Sequence, residues 1–209
     1  MTTVKAAYYY PNRMGRIVLT AAEEILGQSG MRAVLNLAHL SGLIDNYPPN
    51  NLERAFPFEH LSAIQARLED VYGQRAGRGL ALRSGRVCFK HGLREFGSLL
   101  GVTDLAFRML PFNSKIRAGM GIFADTFNKY SDQRVRVIDE ERRFLWQIER
   151  CPVCWERRAA QPVCHLAVGL LQEALHWASG GRTFNVDETL CVARGDPTCT
   201  ITIDKQPID

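Results

Sequence analysis

Five of the six cysteines in this 209-residue chain lie beyond residue 150, at Cys151, Cys154, Cys164, Cys191 and Cys199. Their placement constrains the fold of that segment more than any other feature. Cys191 and Cys199 sit symmetrically about Gly195, within Arg194-Gly195-Asp196-Pro197. A hairpin turning there sets the two thiols opposite each other. Pro162 and Cys164 open a run to Ser179 that is apolar nearly all round and is ended by Gly180-Gly181. That run reads as a buried helix with Cys164 in its first turn. Helix N-terminal amides favour a thiolate, the form that binds metal.

Glu188 adds an oxygen donor. Cys164, Glu188, Cys191 and Cys199 together make a closed tetrahedral zinc set, structural because no position is left for water. Glu188 and Cys191 are three residues apart, so a regular strand would point them to opposite faces. The set therefore requires a bulge between them. Small buried side chains without metal are the alternative. Cys151-Pro152-Val153-Cys154 is a rival pair, since CxxC binds zinc or does dithiol redox chemistry. With Cys191 and Cys199 it would form an all-cysteine site of four thiolates. Cys88 stands alone in a helical stretch and reads as core.

Hydrophobic residues make up 46% and charged residues 23%, enough for an ordinary core without disulfides or metal. Any metal then shapes a local site. The formal charge is +4, but the arginines are scattered among acidic residues, which reads as a solvated surface and not a nucleic-acid face. No apolar run reaches membrane-spanning length, and Tyr8 to Pro11 breaks any leader-like apolar stretch. A cytoplasmic location is expected, where thiols stay reduced.

Helical periodicity dominates the first 130 residues. Residues 1–10 read as a loose arm. A helix starts at Pro11-Asn12-Arg13 and ends at Gly27 to Gly30, and a second carries Ala33, Val34, Leu37 and Leu40. Asn46 to Asn51 is a loop. Phe58 to Gly73 is helical, Gly73 to Gly79 is a connection, and a long helix follows to Leu100 with Leu99 on its apolar stripe. Residues 103–111 hold a short helix and Ser114 to Tyr130 a longer one. Val135/Val137 and Phe144/Trp146/Ile148 alternate about Asp139-Glu140-Glu141, a β-hairpin signal. Phe184 to Val192 and Thr198 to Ile203 read as strands. The fold class is α+β, a helical layer packed on an antiparallel sheet. An N-terminal helical region (1–75) and a C-terminal module (76–209) are expected to form one compact unit.

At Glu188-x-x-Cys191-x-Ala193-x-Gly195-Asp196-x-x-Cys199, preceded by Pro162-Val163-Cys164 and Gly169, the chain resembles the V4R (4-vinyl reductase) domain family. Arg75 to Arg86 also looks like that family, and the resemblance covers roughly residues 80–205. The family includes proteins linked to bacteriochlorophyll vinyl reduction, hydrocarbon-binding proteins and sensor domains of phenol-responsive regulators. Its fold is shared more distantly with TRAPP subunits. The resemblance implies zinc on Cys164, Glu188, Cys191 and Cys199, with Cys151 and Cys154 outside the set. It also implies a homodimer and an apolar pocket, for which Phe144, Trp146, Ile148, Trp155, His176 and Trp177 are lining candidates.

The residues themselves offer no catalytic group. The one dinucleotide-like string, Gly119-Met-Gly121-Ile-Phe-Ala124, lies inside a helix with no strand before it. The expected function is a small-molecule-binding module for a hydrocarbon, aromatic or tetrapyrrole ligand with a structural zinc. A 4-vinyl reductase or accessory protein of chlorophyll-type synthesis is the enzymatic alternative, and a protein-interaction scaffold is the third.

Overall fold

The structure, a computed structural model, describes residues 8–98, 100–102 and 105–208. Leu99 and residues 1–7 of the expected arm lie outside the described residues. The order is β1 (Tyr9–Pro11), α1 (Asn12–Leu37), β2 (Arg54–Pro57), α2 (Phe58–Phe96), α3 (Leu105–Arg108), α4 (Phe112–Tyr130), β3 (Val135–Asp139), β4 (Arg143–Ile148), α5 (His165–Ser179), β5 (Phe184–Leu190) and β6 (Cys199–Pro207). Helices pack on an antiparallel sheet, so the class is α+β.

The C-terminal sheet has strand order β3-β4-β6-β5 and is antiparallel throughout. Alternation works as the sequence suggests. Phe144, Trp146 and Ile148 pair with Ile203, Ile201 and Cys199, and all six are buried. Their shared face meets the helices. Trp146 packs against the rings of Phe123 and Phe127 from α4.

Four features depart from the sequence reading. The helix expected to end at Gly27 to Gly30 breaks only at Gly27 (φ +72°) and runs on to Leu37, short of Leu40. Tyr8 to Tyr10 are not loose: β1 pairs with β2, and the Phe58 N–H donates to the Tyr8 carbonyl. The two strands are three and four residues long and far apart in sequence, too short and too distant for a periodicity signal. The expected connection from Gly73 to Gly79 shrinks to a single break. Gly73 has φ +77°, ψ 157°, and helix resumes immediately, because Gln74, Arg75, Ala76 and Arg78 are good helix formers. The strand expected to reach Val192 stops at Leu190, and Val192–Arg194 form a 3-10 turn.

α5 is the central helix, and it lies close against α2. A Cβ on Gly169 would collide with the backbone of Leu82, and one on Gly85 with the Leu166 carbonyl. Two glycines facing each other let the helices approach backbone to backbone. One buried cluster runs from Tyr10 through α5 to Ile203, and α2 crosses residue 75 without interruption. No helix among the described residues is long and apolar enough to cross a membrane.

Candidate functional site

Two sites flank α5: a cluster of thiols at its N-terminus and an apolar cavity along its side. The thiols come from three places. The turn after β4 brings Cys151 and Cys154, the residue before α5 is Cys164, and the β5–β6 hairpin brings Cys191 and Cys199. All five are buried free thiols. The register shifts between Glu188 and Leu190, so the bulge that the spacing requires is present. It turns Glu188 toward the cysteines.

The sulfurs are closely spaced. Cys164 lies 3.9 Å from Cys191 and 3.7 Å from Cys199, and Cys191 is 4.0 Å from Cys199. A tetrahedral zinc with Zn–S bonds of about 2.3 Å spaces its sulfurs by about 3.8 Å. These three thiols thus already form one face of such a tetrahedron. Cys151 lies 3.5 Å from Cys164, and Cys154 lies 3.3 Å from Cys199. Cys151 and Cys154 therefore belong to the same cluster, grouped with Cys164 and Cys199, whereas the sequence reading offered them either as a separate pair or with Cys191 and Cys199.

The surroundings suit anionic sulfur. The Val192 N–H donates to Cys199 Sγ at 3.3 Å, and the Cys164 N–H donates to Glu188 Oε2 at 2.7 Å. Asp196 fixes the hairpin turn, accepting from the Cys191 N–H at 2.8 Å and from Arg194. Glu188 Oε1 is buried with no hydrogen-bond partner. Burial, and then the nearby Cys191, push the Glu188 carboxyl up to about 8. Hydrogen bonds among the thiols, that from Cys151 first, pull Cys154 down, while Cys151 and its neighbours push Cys199 up. Burial pushes Cys164 up. Without a cation the cluster holds protons; an ion binding there would displace them. The donor types, the sulfur spacing and the orphaned Oε1 all fit zinc.

The cavity lies between α1, α2, α4, α5 and β4 and has a free volume of about 150 Å³. Its wall is almost entirely apolar; Met14, Val18, Phe89, Ile116, Phe123 and Leu171 are typical. Three polar side chains reach it. The buried Tyr10 hydroxyl donates to Gln133 Oε1, and Thr126 donates to the Ile122 carbonyl. Burial raises Tyr10 well above the usual phenol range and Cys88 to about 12, so both face the cavity uncharged. Among the described residues, no charged side chain lines it.

Of the aromatic candidates, Trp146, Ile148 and Trp177 line this cavity. Phe144 packs under Lys205 at the far end of the sheet. Trp155 sits between Tyr8 and Phe58, and His176 is exposed on the outer face of α5. Cys88, read as core, is buried and also lines the cavity, while Tyr10 and Gln133 were not named as lining residues. Only the apolar phase of α2 hints at Cys88, and no local signal marks the other two. Pro152 and Val153 line the cavity as well, so the turn that gives Cys151 and Cys154 to the cluster gives its two middle residues to the cavity.

Residues 145–205 match the V4R domain. The matched segment holds all six donors of the thiol centre, most of β4 and all of α5. Most of the chain also shares its fold with solved structures. An H-NOX protein from S. oneidensis in the Fe(II)NO state matches with TM-score 0.57 at 12% identity, over 93% of this chain and 99% of that one. The phenol-responsive sensory domain of the transcription activator PoxR, solved with phenol, matches with TM-score 0.51 at 21% identity, over 73% of this chain and 77% of that one. An oxygen-binding H-NOX domain related to soluble guanylate cyclases matches with TM-score 0.51 at 13% identity, over 92% and 94%. No curated protein sequence matches the chain.

Proposed function

We propose that this protein binds a small apolar or aromatic molecule in the cavity beside α5, and that a structural zinc on Cys164, Glu188, Cys191 and Cys199 holds the adjoining wall. The cavity carries the reading. A space of about 150 Å³ lined by Leu, Ile and Phe stays dry and takes up benzene-sized ligands. The Tyr10–Gln133 pair adds one polar handle, which suits a single hydroxyl on the ligand. The six free cysteines agree with a reducing compartment such as the cytoplasm.

The H-NOX structures raise the question of haem. Among the described residues, none of the five histidines lines the cavity, and no arginine or lysine faces it to meet a propionate. Its one thiol, Cys88, is held neutral. The residues present do not fit a haem, and a tetrapyrrole exceeds the free volume. The polar side chains at the cavity, Tyr10, Thr126 and Gln133, are bonded within the protein, which favours the binding reading over the reductase alternative.

The test is thermal stabilisation by phenol, toluene, naphthalene and haemin. Stabilisation should grow as RT ln(1 + [L]/Kd), about 2.7 kcal/mol at a hundredfold excess over Kd. Phenol or toluene should raise Tm and haemin should not. Cys88→Met, which takes up part of the cavity, should weaken the rise while the variant stays folded. No shift with any small aromatic would remove the reading. Turnover of a vinyl tetrapyrrole with a nicotinamide or flavin cofactor would replace it.

A further inference from the structure

We propose that the thiol centre takes two tetrahedral metal ions, bridged by the Cys164 and Cys199 thiolates. This rests on the metal reading above and extends it. The donors fall into two sets of four, Cys151, Cys154, Cys164, Cys199 and Cys164, Glu188, Cys191, Cys199, each with its ligand atoms within 4.8 Å of one another. The sets share Cys164 and Cys199, whose sulfurs are 3.7 Å apart. Two tetrahedra sharing an edge describe a binuclear thiolate cluster, with two bridging sulfurs and two terminal ligands on each ion. The terminal pairs come from separate segments. The turn after β4 supplies Cys151 and Cys154, and the end of β5 supplies Glu188 and Cys191.

A single ion leaves donors stranded on either set. Placed on the second set, it leaves Cys151 and Cys154 packed at 3.5 and 3.3 Å against sulfurs that already bind metal. Placed on the first, it leaves Cys191 beside a Glu188 whose buried Oε1 has no partner. A buried polar oxygen without a partner is costly, and a second cation satisfies it. Charge points the same way. Five thiolates and one carboxylate carry six negative charges, of which one divalent ion offsets two and two ions offset four. The Val192 and Cys164 amides help to meet the remainder at Cys199 and Glu188.

The test loads the full-length chain with excess Zn²⁺ or Co²⁺, removes unbound ion, and counts metal per chain by elemental analysis and native mass spectrometry. Two ions per chain are expected, and one in the double variant Cys151→Ser/Cys154→Ser. Titration of the wild type with Co²⁺ gives a second readout. The visible bands of tetrahedral Co²⁺ should rise to two equivalents. The electron paramagnetic resonance of the first ion should fall as the second arrives, because bridging sulfur couples the two spins. Should the double variant fail to fold, this titration decides. Saturation at one equivalent, with an undiminished resonance, overturns the second ion and leaves the single zinc standing. No bound metal overturns both.

Discussion

The two sites on α5 solve opposite problems. At its N-terminus six donor side chains crowd into a space with no room to spare, and a cation would balance the charge they can carry. Along its side lies room with almost no donors, about 150 Å³ behind an apolar wall. The first site selects by valence and geometry, and the second by size and shape. A helix that is apolar nearly all round can serve both, because each site uses a different stretch of it: Cys164 at its cap, and Leu166, Leu170, Ala174 and Trp177 along its flank.

The contrast can be broken by mutation, most severely at Cys164. That residue belongs to both donor sets, so Cys164→Ser should lose all metal and cost about 4 kcal/mol or more, since structural metal binding is folding free energy. Calorimetry should show a Tm fall of about 10 °C or more, and Cys88→Ser on the cavity side should cost about 1 kcal/mol. Equal losses in the two variants would erase the distinction. Gly169→Ala should damage both sites together, by about 2–3 kcal/mol, because the added methyl forces α5 from α2. A drop in metal content and in phenol response in the same protein would show it. Tyr10→Phe should touch the cavity alone. Leaving the Gln133 acceptor unpaired should cost about 1–2 kcal/mol, with phenol affinity falling and toluene affinity unchanged in calorimetric titration.

The smallest effect lies outside both sites. His60 packs edge-on to Phe56, its Nδ1 is buried without a partner, and burial lowers its pKa. The folded state therefore prefers the neutral ring, while an unfolded histidine titrates near about 6.5. The His60 contribution is whole above that pH and is lost as pH falls below it. The gap between denaturant midpoints at about pH 7.5 and about pH 5 should be narrower in His60→Gln than in wild type, the remainder coming from groups such as His165, which burial also lowers.

Legibility in the sequence followed the same contrast. The thiol centre rests on short-range geometry: the glycine turn at Gly195 fixes Cys191 against Cys199, and a three-residue offset demands the bulge found at Glu188. Cys151 and Cys154 were named as metal candidates, but their place beside Cys164 and Cys199 comes from the pairing of β4 with β6, which no local spacing encodes. The cavity draws Tyr10, Cys88, Phe123, Gln133 and Leu171 from five distant segments, so its lining is a tertiary property. Even on α5 the lining phase was hidden. Apolar residues on nearly every side give no clear stripe, and His176 turns out to face water while its neighbours Leu175 and Trp177 line the cavity.

The turn from Cys151 to Cys154 is a party wall. Its outer residues face the thiol centre and its inner ones, Pro152 and Val153, face the cavity, so the proposed occupants would share four residues of backbone. Whatever factor one occupant imposes on the other's affinity must be returned in full. The affinity for metal, read in equilibrium competition with a chelator, would then be an unlabelled gauge of whether the cavity is filled.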